Sequence, residues 1–237
     1  LTGTRIRSIS SAGSCKKIAV FCGTGKISIG ANSSGGNNQT GSGDNLFAQA
    51  VPATAWGLRY LTSPTTSQPS NYYRICVADP TTVVKVNGSV IPTSYLQRGF
   101  FYELKNSTPL TTPGNGIGQA NTSTGVWNLI EADKPINVAQ FCTTQADDGN
   151  PNLSTGGDPE MIYLSPVEQT INSITLYSAT KYQILQSFIN VIIKKGGTSS
   201  FTLDGVSKTS SFLPHPQDPN YYYASFPVTS PNSHTLY

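Results

Sequence analysis

The sequence predicts an all-β fold, arranged as two tandem β-sandwich modules of jelly-roll or Ig-like type over residues 1–125 and 126–237. Three observations carry that reading. Twelve Tyr and nine Phe, with abundant Val, Ile and Thr, favour extended chain over helix. Short apolar or alternating runs recur between Gly, Asn, Asp and Pro, the punctuation of a sandwich. Landmarks also recur in the same order at nearly constant spacing. Ile18 and Val20 return as Ile136 and Val138 (136 − 18 = 118), Asp44 and Pro52 as Asp158 and Pro166 (158 − 44 = 114), and Asn87-Gly88 as Asp204-Gly205 (204 − 87 = 117). A repeat of roughly 115 residues is far longer than the ~40 residues of a propeller blade.

The first module opens at Thr4 to Ile9, where Ile6 alternates with Arg5 and Arg7 as in a half-exposed strand. Ser10 to Ser14 reads as a turn and Lys17 to Phe21 as a strand. Cys22-Gly-Thr-Gly-Lys26 predicts a tight turn into Ile27-Ser-Ile29, completing a hairpin. Beyond the Gly/Ser/Asn loop from Gly30 to Gly43, an apolar run begins at Leu46-Phe47 and ends at Val51-Pro52. Leu58 to Leu61 is a strand after Trp56-Gly57, and Tyr72 to Val77 is dense in β-formers. Asp79-Pro80 turns the chain. Val83 to Val86 returns it, and Asn87-Gly88 predicts a two-residue hairpin turn. Phe100 to Leu104 is the next strand, and Thr111 to Gly125 is too long for a plain connector.

The second module begins with strands at Val126 to Ile130 and Ile136 to Phe141, separated by a turn at Ala132-Asp-Lys-Pro135. The polar loop Thr143 to Gly157 leads to a short apolar run, Met161 to Leu164. Ser165-Pro-Val-Glu168 has the order of an N-cap, a first-turn Pro and a capping-box Glu, so one helical turn is expected there. Further strands are expected at Ile174 to Tyr177, Phe188 to Ile193, Phe201 to Leu203 and Tyr221 to Phe226, with a turn at Asp204-Gly205.

Composition narrows the function classes. Charged residues are only 11% of the chain, yet 37% hydrophobic and 10% aromatic residues suffice for packed cores, so disorder is excluded. The net charge of +3 is mild, and its densest spots are Lys16-Lys17 and Lys194-Lys195. Nucleic-acid binding would need a basic stripe interleaved with aromatics, and no nucleic-acid partner is expected. No apolar run approaches the ~20 residues of a membrane helix, so no direct membrane insertion is expected. The chain opens on Leu1-Thr-Gly-Thr4 without a signal-peptide pattern and reads as a portion of something longer.

Four cysteines, Cys15, Cys22, Cys76 and Cys142, show no C-x-x-C spacing and no nearby His, which argues against zinc. Their even number and the Ser/Thr/Asn-rich composition fit an oxidising, extracellular setting. A strand between Cys15 and Cys22 would hold them about 23 Å apart at ~3.3 Å per residue, too far for a disulfide. Cys15–Cys76 with Cys22–Cys142, and Cys15–Cys142 with Cys22–Cys76, both remain open.

Asp147, Asp148, Asn150 and Asp158 offer enough oxygens for a Ca²⁺ site but lack EF-hand spacing, and an Asx-turn-rich loop accounts for them more simply. No other cofactor is expected. Nothing sets Glu160 and Glu168 across a cleft as a glycosidase pair. His215 and His234 lie in Pro/Asp/Asn-rich surroundings and are expected in loops. A Ser-His-Asp triad finds no Gly-x-Ser-x-Gly elbow, so the protein is read as non-enzymatic. Trp56 and Trp127 are expected in the core. Tyr221, Tyr222 and Tyr223 form a candidate binding surface, because alternating strand residues face opposite sides and leave at least one ring outside.

Leu1-Thr-Gly-Thr4 and Lys17-Ile-Ala-Val-Phe21, followed by Asp44-Asn-Leu46, Pro52 and Trp56-Gly57, resemble the N-terminal domain family of the IgGFc-binding proteins. The resemblance continues through Ala132-Asp-Lys-Pro-Ile136 and Gly157-Asp-Pro-Glu-Met161 to Phe201-Thr-Leu-Asp-Gly205, so it covers nearly the whole chain. It is greatest to a bacterial branch in large secreted surface proteins of Bacteroidota, many exported by a type IX system. The resemblance implies a secreted, β-rich internal fragment with adhesive or scaffolding use, and it carries no Fc-contact residues across.

The expected function is therefore that of a non-enzymatic extracellular module of a larger cell-surface protein, mediating adhesion or binding of protein or glycan. Its partners would be other surface proteins or a host or environmental glycoprotein, met by the three long polar loops. The alternatives are a structural spacer or assembly subunit of a surface appendage, and a carbohydrate-binding or carbohydrate-active domain.

Overall fold

The computed structural model describes residues 2–9, 13, 16–27, 29, 44–66, 70–110, 126–143, 159–179, 187–228 and 232–237. The protein is all-β, and among the described residues there are strands and short 3₁₀ turns but no α-helix.

β1 (Phe21–Ile27) and β2 (Asp44–Gln49) form a two-stranded antiparallel ribbon. The turn expected at Cys22-Gly-Thr-Gly-Lys26 is instead the body of β1. Gly23 is needed there because a Cβ would stand 2.3 Å from the Leu46 carbonyl oxygen. Thr4 to Ile9 and Lys17 to Val20 are not strands. The N-terminal segment is tied to the main body: Thr2 Oγ1 accepts from Arg74 at 3.0 Å. Gly3, at φ +89°, sits where a Cβ would be 2.4 Å from Phe100.

β3 (Gly57–Leu61), β4 (Tyr72–Val77), β5 (Val84–Val86), β6 (Ser89–Val90), β7 (Phe101–Lys105), β8 (Thr108–Pro109), β9 (Leu129–Cys142) and β10 (Glu160–Tyr163) make one eight-stranded sheet. β9 is its hub. Its first residues pair with β3 and β5, and Ile136 onward pairs with β4 and β10. Between these halves the register against β3 jumps, with Gly57 opposite Ile136 and Arg59 opposite Glu131. A strand that changes partners at such a bulge folds a sheet onto itself, giving a sandwich.

The turn expected at Ala132-Asp-Lys-Pro135 is thus a corner inside one 14-residue strand. Asp133 exchanges hydrogen bonds with Val83, its N–H donating to the carbonyl at 3.2 Å and its Oδ1 accepting the N–H at 2.8 Å. Lys134 Nζ reaches Asp79 Oδ2 at 2.6 Å. Tyr60, Val84, Val86 and Ile130 pack against Tyr73, Ile75, Tyr102, Leu104 and Val138 to fill the sandwich.

Asn87-Gly88 turns between β5 and β6 as expected, at φ 51° and 80°. Both values lie in the left-handed region that a type I′ hairpin needs.

The C-terminal part holds β11 (Ile174–Tyr177), β12 (Ser187–Lys194), β13 (Thr202–Leu203), β14 (Val206–Ser207), β15 (Leu213–His215), β16 (Asp218–Val228) and β17 (Ser233–Leu236). They form two sheets ordered β11-β17-β13-β14 and β12-β16-β15. Phe201, Phe212 and Phe226 lie within 5.0–5.9 Å of one another at its centre.

Strand pairing puts the change of sheets between β10 and β11. β9 and β10 belong to the first sheet because β9 fills the slot between β4 and β3. The two parts are fastened at β3. The expected single turn near Glu168 forms as a 3₁₀ turn, Val167–Gln169, but without a side-chain cap. Glu168 Oε1 instead accepts the Leu58 N–H at 3.3 Å. Arg59 pairs with Asp218 and, at 3.2 Å, with Glu131.

Candidate functional site

The β1–β2 ribbon has one covered and one open face. Cross-strand register places Cys22, Thr24, Leu46 and Ala48 on one side and Phe21, Gly23, Phe47 and Gln49 on the other. Leu46 seals the inner side against Tyr72, Ala139, Phe141 and Met161 of the main sheet. On the outer side Phe21 and Phe47 are 57% and 73% exposed. Their rings stack with centroids 5.7 Å apart and planes within 7°. Two large apolar rings held in water by their own strand pair are unlike the scattered exposed side chains of an ordinary surface.

Beside them an open groove of about 360 Å³ is lined by Gly23, Thr24, Gly25, Asn45, Leu46 and Phe47. A Cβ on Gly25 would meet nothing within 4 Å, so internal packing does not demand glycine there. Glycine inside a strand weakens it and suits a place where another backbone comes close. The N-terminal portion that carries the ribbon is basic. Residues 1–50 carry Arg5, Arg7, Lys16, Lys17 and Lys26 against Asp44 alone. All five cations are exposed, as are Ile6, Ile9 and Ile18 of the same portion. The mild net charge of the whole chain conceals this local excess, because the remaining residues nearly balance.

The residues singled out from sequence are distributed differently. Asp147, Asp148, Asn150 and Asp158, the candidate Ca²⁺ ligands, lie outside the described residues. So do Cys15 and, apart from Thr143, the three long polar loops. Cys22, Cys76 and Cys142 are free thiols, so the expected disulfide framework is not formed among the described cysteines. The Cys22 Sγ lies 3.6 Å from the Tyr163 hydroxyl. Burial pushes both the Cys76 and the Cys142 thiols up to about 11, so neither is a reactive thiolate at neutral pH.

The tyrosine triplet is not an exposed platform. Tyr221 is buried, with Arg59 5.8 Å above its ring. Tyr222 packs against the C-terminal core, and Tyr223 lies 4.8 Å from Trp127, ring to ring. Trp56 and Trp127 are half-buried at these margins rather than central. His215 and His234 are not loop residues but lie buried in β15 and β17. Glu160 is exposed on β10, and Glu168 is engaged with Leu58.

The sequence profile of one family, described as IgGFc binding protein, matches residues 1–237. No curated protein matches the chain, and no solved structure does. The family is one of binding domains and is not known for enzymes. Among the described residues no helix is long and apolar enough to cross a membrane.

Proposed function

Because the chain belongs to the IgGFc-binding protein family, we propose that it is an extracellular binding module whose β1–β2 ribbon takes an acidic, extended segment of a partner protein. The observation that carries this is the stacked, exposed pair Phe21 and Phe47 with a glycine-lined groove beside it, in a portion of the chain with an excess of cations. Each part has a physical role. Aromatic anchors supply most of an interface's binding energy. A groove floor without side chains admits a partner's main chain. Cations of the same portion of the chain attract carboxylates, raising the rate of encounter and rejecting basic partners.

In this reading the module sits in a larger surface protein of the bacterial branch and serves adhesion, its partner being another surface protein or a host or environmental glycoprotein. Its architecture is two copies of one sandwich unit, with the ribbon added to the first. Support for the two copies is that β11-β17-β13-β14 repeats the pairing of β3, β9, β5 and β6, while β12 pairs β16 as β4 pairs β7. The starts of β11, β14 and β16 follow those of β3, β6 and β7 at one spacing: 174 − 57 = 117, 206 − 89 = 117 and 218 − 101 = 117.

Panning a displayed random-peptide library on the intact chain tests the ribbon. Acidic peptides with an aromatic or branched apolar residue should be enriched. Phe47→Ser or Lys17→Glu should weaken them by about tenfold or more, the cost of losing one anchor or one steering charge. Enrichment of nothing, or of peptides indifferent to both substitutions, refutes the assignment and leaves the spacer role as the better account.

A further inference from the structure

We propose that Ser178 is an acylatable nucleophile, set up by His234 and Asp204, that attacks carboxylic esters at a site separate from the ribbon. The three residues come from the end of β11, from β17 and from the turn between β13 and β14. His234 Nδ1 lies 2.7 Å from Asp204 Oδ2, and His234 Nε2 lies 3.2 Å from Ser178 Oγ. Both distances suit a base held by one partner and acting on the other.

The hydrogen positions follow from the partners. Asp204 Oδ1 accepts the Thr235 N–H at 2.8 Å, and the Asp204 N–H donates to the Thr235 carbonyl at 2.9 Å, so the carboxylate is fixed against β17. The His234 ring foremost, and then the Thr235 N–H, hold the Asp204 carboxyl below its ordinary range, so it is ionised at neutral pH and can only accept. The imidazole therefore carries its hydrogen on Nδ1 and presents a lone pair on Nε2. Ser178 Oγ–H meets that lone pair. His234 is 7% exposed, while the Asp204 side chain is 44% exposed and Ser178 is half-buried. The Asn232 N–H stands 3.4 Å from Ser178 Oγ, so a backbone donor adjoins the reacting oxygen.

In the reaction Ser178 Oγ bonds to the ester carbonyl carbon as its proton passes to His234 Nε2. The adduct collapses as the bond to the alcohol oxygen breaks, and His234 returns the proton to that leaving group. Water then repeats the route in reverse, releasing the acid and restoring the serine. The Asn232 N–H is spent on Ser178 Oγ itself rather than on the oxyanion, which suits esters with good leaving groups rather than amides.

The same contacts would also tie strands together without any chemistry, and reactivity separates the two cases. The intact chain is treated with a fluorophosphonate, whose P–F bond breaks with loss of fluoride as Ser178 Oγ bonds phosphorus, and the adduct is located by peptide mapping. Ser178 should carry the label, and labelling should slow in acid as the imidazole takes a proton. Asp204→Asn should lower the rate by roughly 100-fold. That variant keeps a residue suited to its turn, since Asn87-Gly88 makes the same turn at φ 51° and 80°. The proposal is overturned if Ser178 is unlabelled, or if its labelling is indifferent to both pH and Asp204→Asn while the melting temperature is unchanged.

Discussion

The Tyr60 hydroxyl donates to the Ile136 carbonyl at 2.7 Å, and the same oxygen accepts the Gly57 N–H at 3.1 Å. This one buried phenol satisfies both backbone groups left open where β9 turns its corner against β3. Tyr60→Phe keeps the ring and strands both partners without water. A buried polar group left unmade costs about 1–3 kcal/mol, so the loss should be about 2–3 kcal/mol. At roughly 2–4 °C per kcal/mol for a chain of this size, the melting temperature should fall by about 5–10 °C. An unchanged melting curve would mean the corner is held by something else.

Gly57 faces a second constraint. A Cβ there would lie 2.2 Å from Pro166 Cβ and 2.8 Å from Glu168 Oε2. Gly57→Ala must therefore push the 3₁₀ turn Val167–Gln169 off β3. Overpacking of this kind costs about 1–3 kcal/mol. The damage should be local: in hydrogen exchange, the Leu58 amide, bonded to Glu168, should lose protection while Ile75 in the main sheet keeps its own.

Arg74 and Glu103 form a pair beneath the N-terminal segment, Nε to Oε2 at 2.7 Å, with Glu103 only 3% exposed. The guanidinium also lies 5.4 Å from each of the Phe101 and Phe141 rings. Removing one partner of a buried pair costs about 3–5 kcal/mol, whereas replacing both by apolar groups is often neutral. Arg74→Met should thus destabilise strongly to denaturant, and adding Glu103→Leu should recover most of the loss. Equal damage from the single and double variants would show that the charge left behind is not what Arg74→Met costs.

These residues show which parts of the structure were legible in the sequence. Tyr72 to Val77 was readable because a run of β-formers bounded by turns has few alternatives. Asn87-Gly88 and Asp204-Gly205 were readable because few residues suit a left-handed turn. The corner of β9 was not, since Ala132-Asp-Lys-Pro135 carries ordinary turn residues, and Tyr60, Asp79 and Val83, distant in sequence, keep the strand continuous through them. Gly23 looked like a turn residue because its need, the nearby Leu46 carbonyl, is a tertiary contact. The tyrosine triplet looked exposed because Arg59 and Trp127, which cover it, come from the other part of the chain. The ribbon's aromatic face and the Ser178–His234–Asp204 cluster escaped for the same reason: each is assembled by pairing between segments whose spacing carries no motif.

The ribbon's aromatics should matter to binding and not to folding. Phe47 is 73% exposed, so Phe47→Ser removes little buried surface and should leave the melting temperature within about 1 °C, surface changes costing roughly ±0.5 kcal/mol. A larger drop would place Phe47 in the structural core of the ribbon and weaken its assignment to a partner.

His215 makes the stability of the junction depend on pH. Its Nε2 lies 3.1 Å from the Thr62 carbonyl and so carries the hydrogen, while Nδ1 accepts the Gln217 N–H at 3.2 Å. The neutral ring thus uses both nitrogens, and the side chain is 2% exposed. Burial holds its pKa below the ordinary 6.5, against the upward pull of the Thr62 carbonyl and of Asp218. The unfolded chain therefore binds this proton more readily than the folded one. The stabilisation is fully present above pH 6.5 and is lost as pH falls from there towards the depressed folded value. Denaturant midpoints should accordingly decline as the pH drops below 6.5, well before the carboxylates titrate. His215→Gln removes the titrating group and should flatten that part of the profile, even if it lowers stability throughout. A variant that kept the full decline would show that His215 does not carry it.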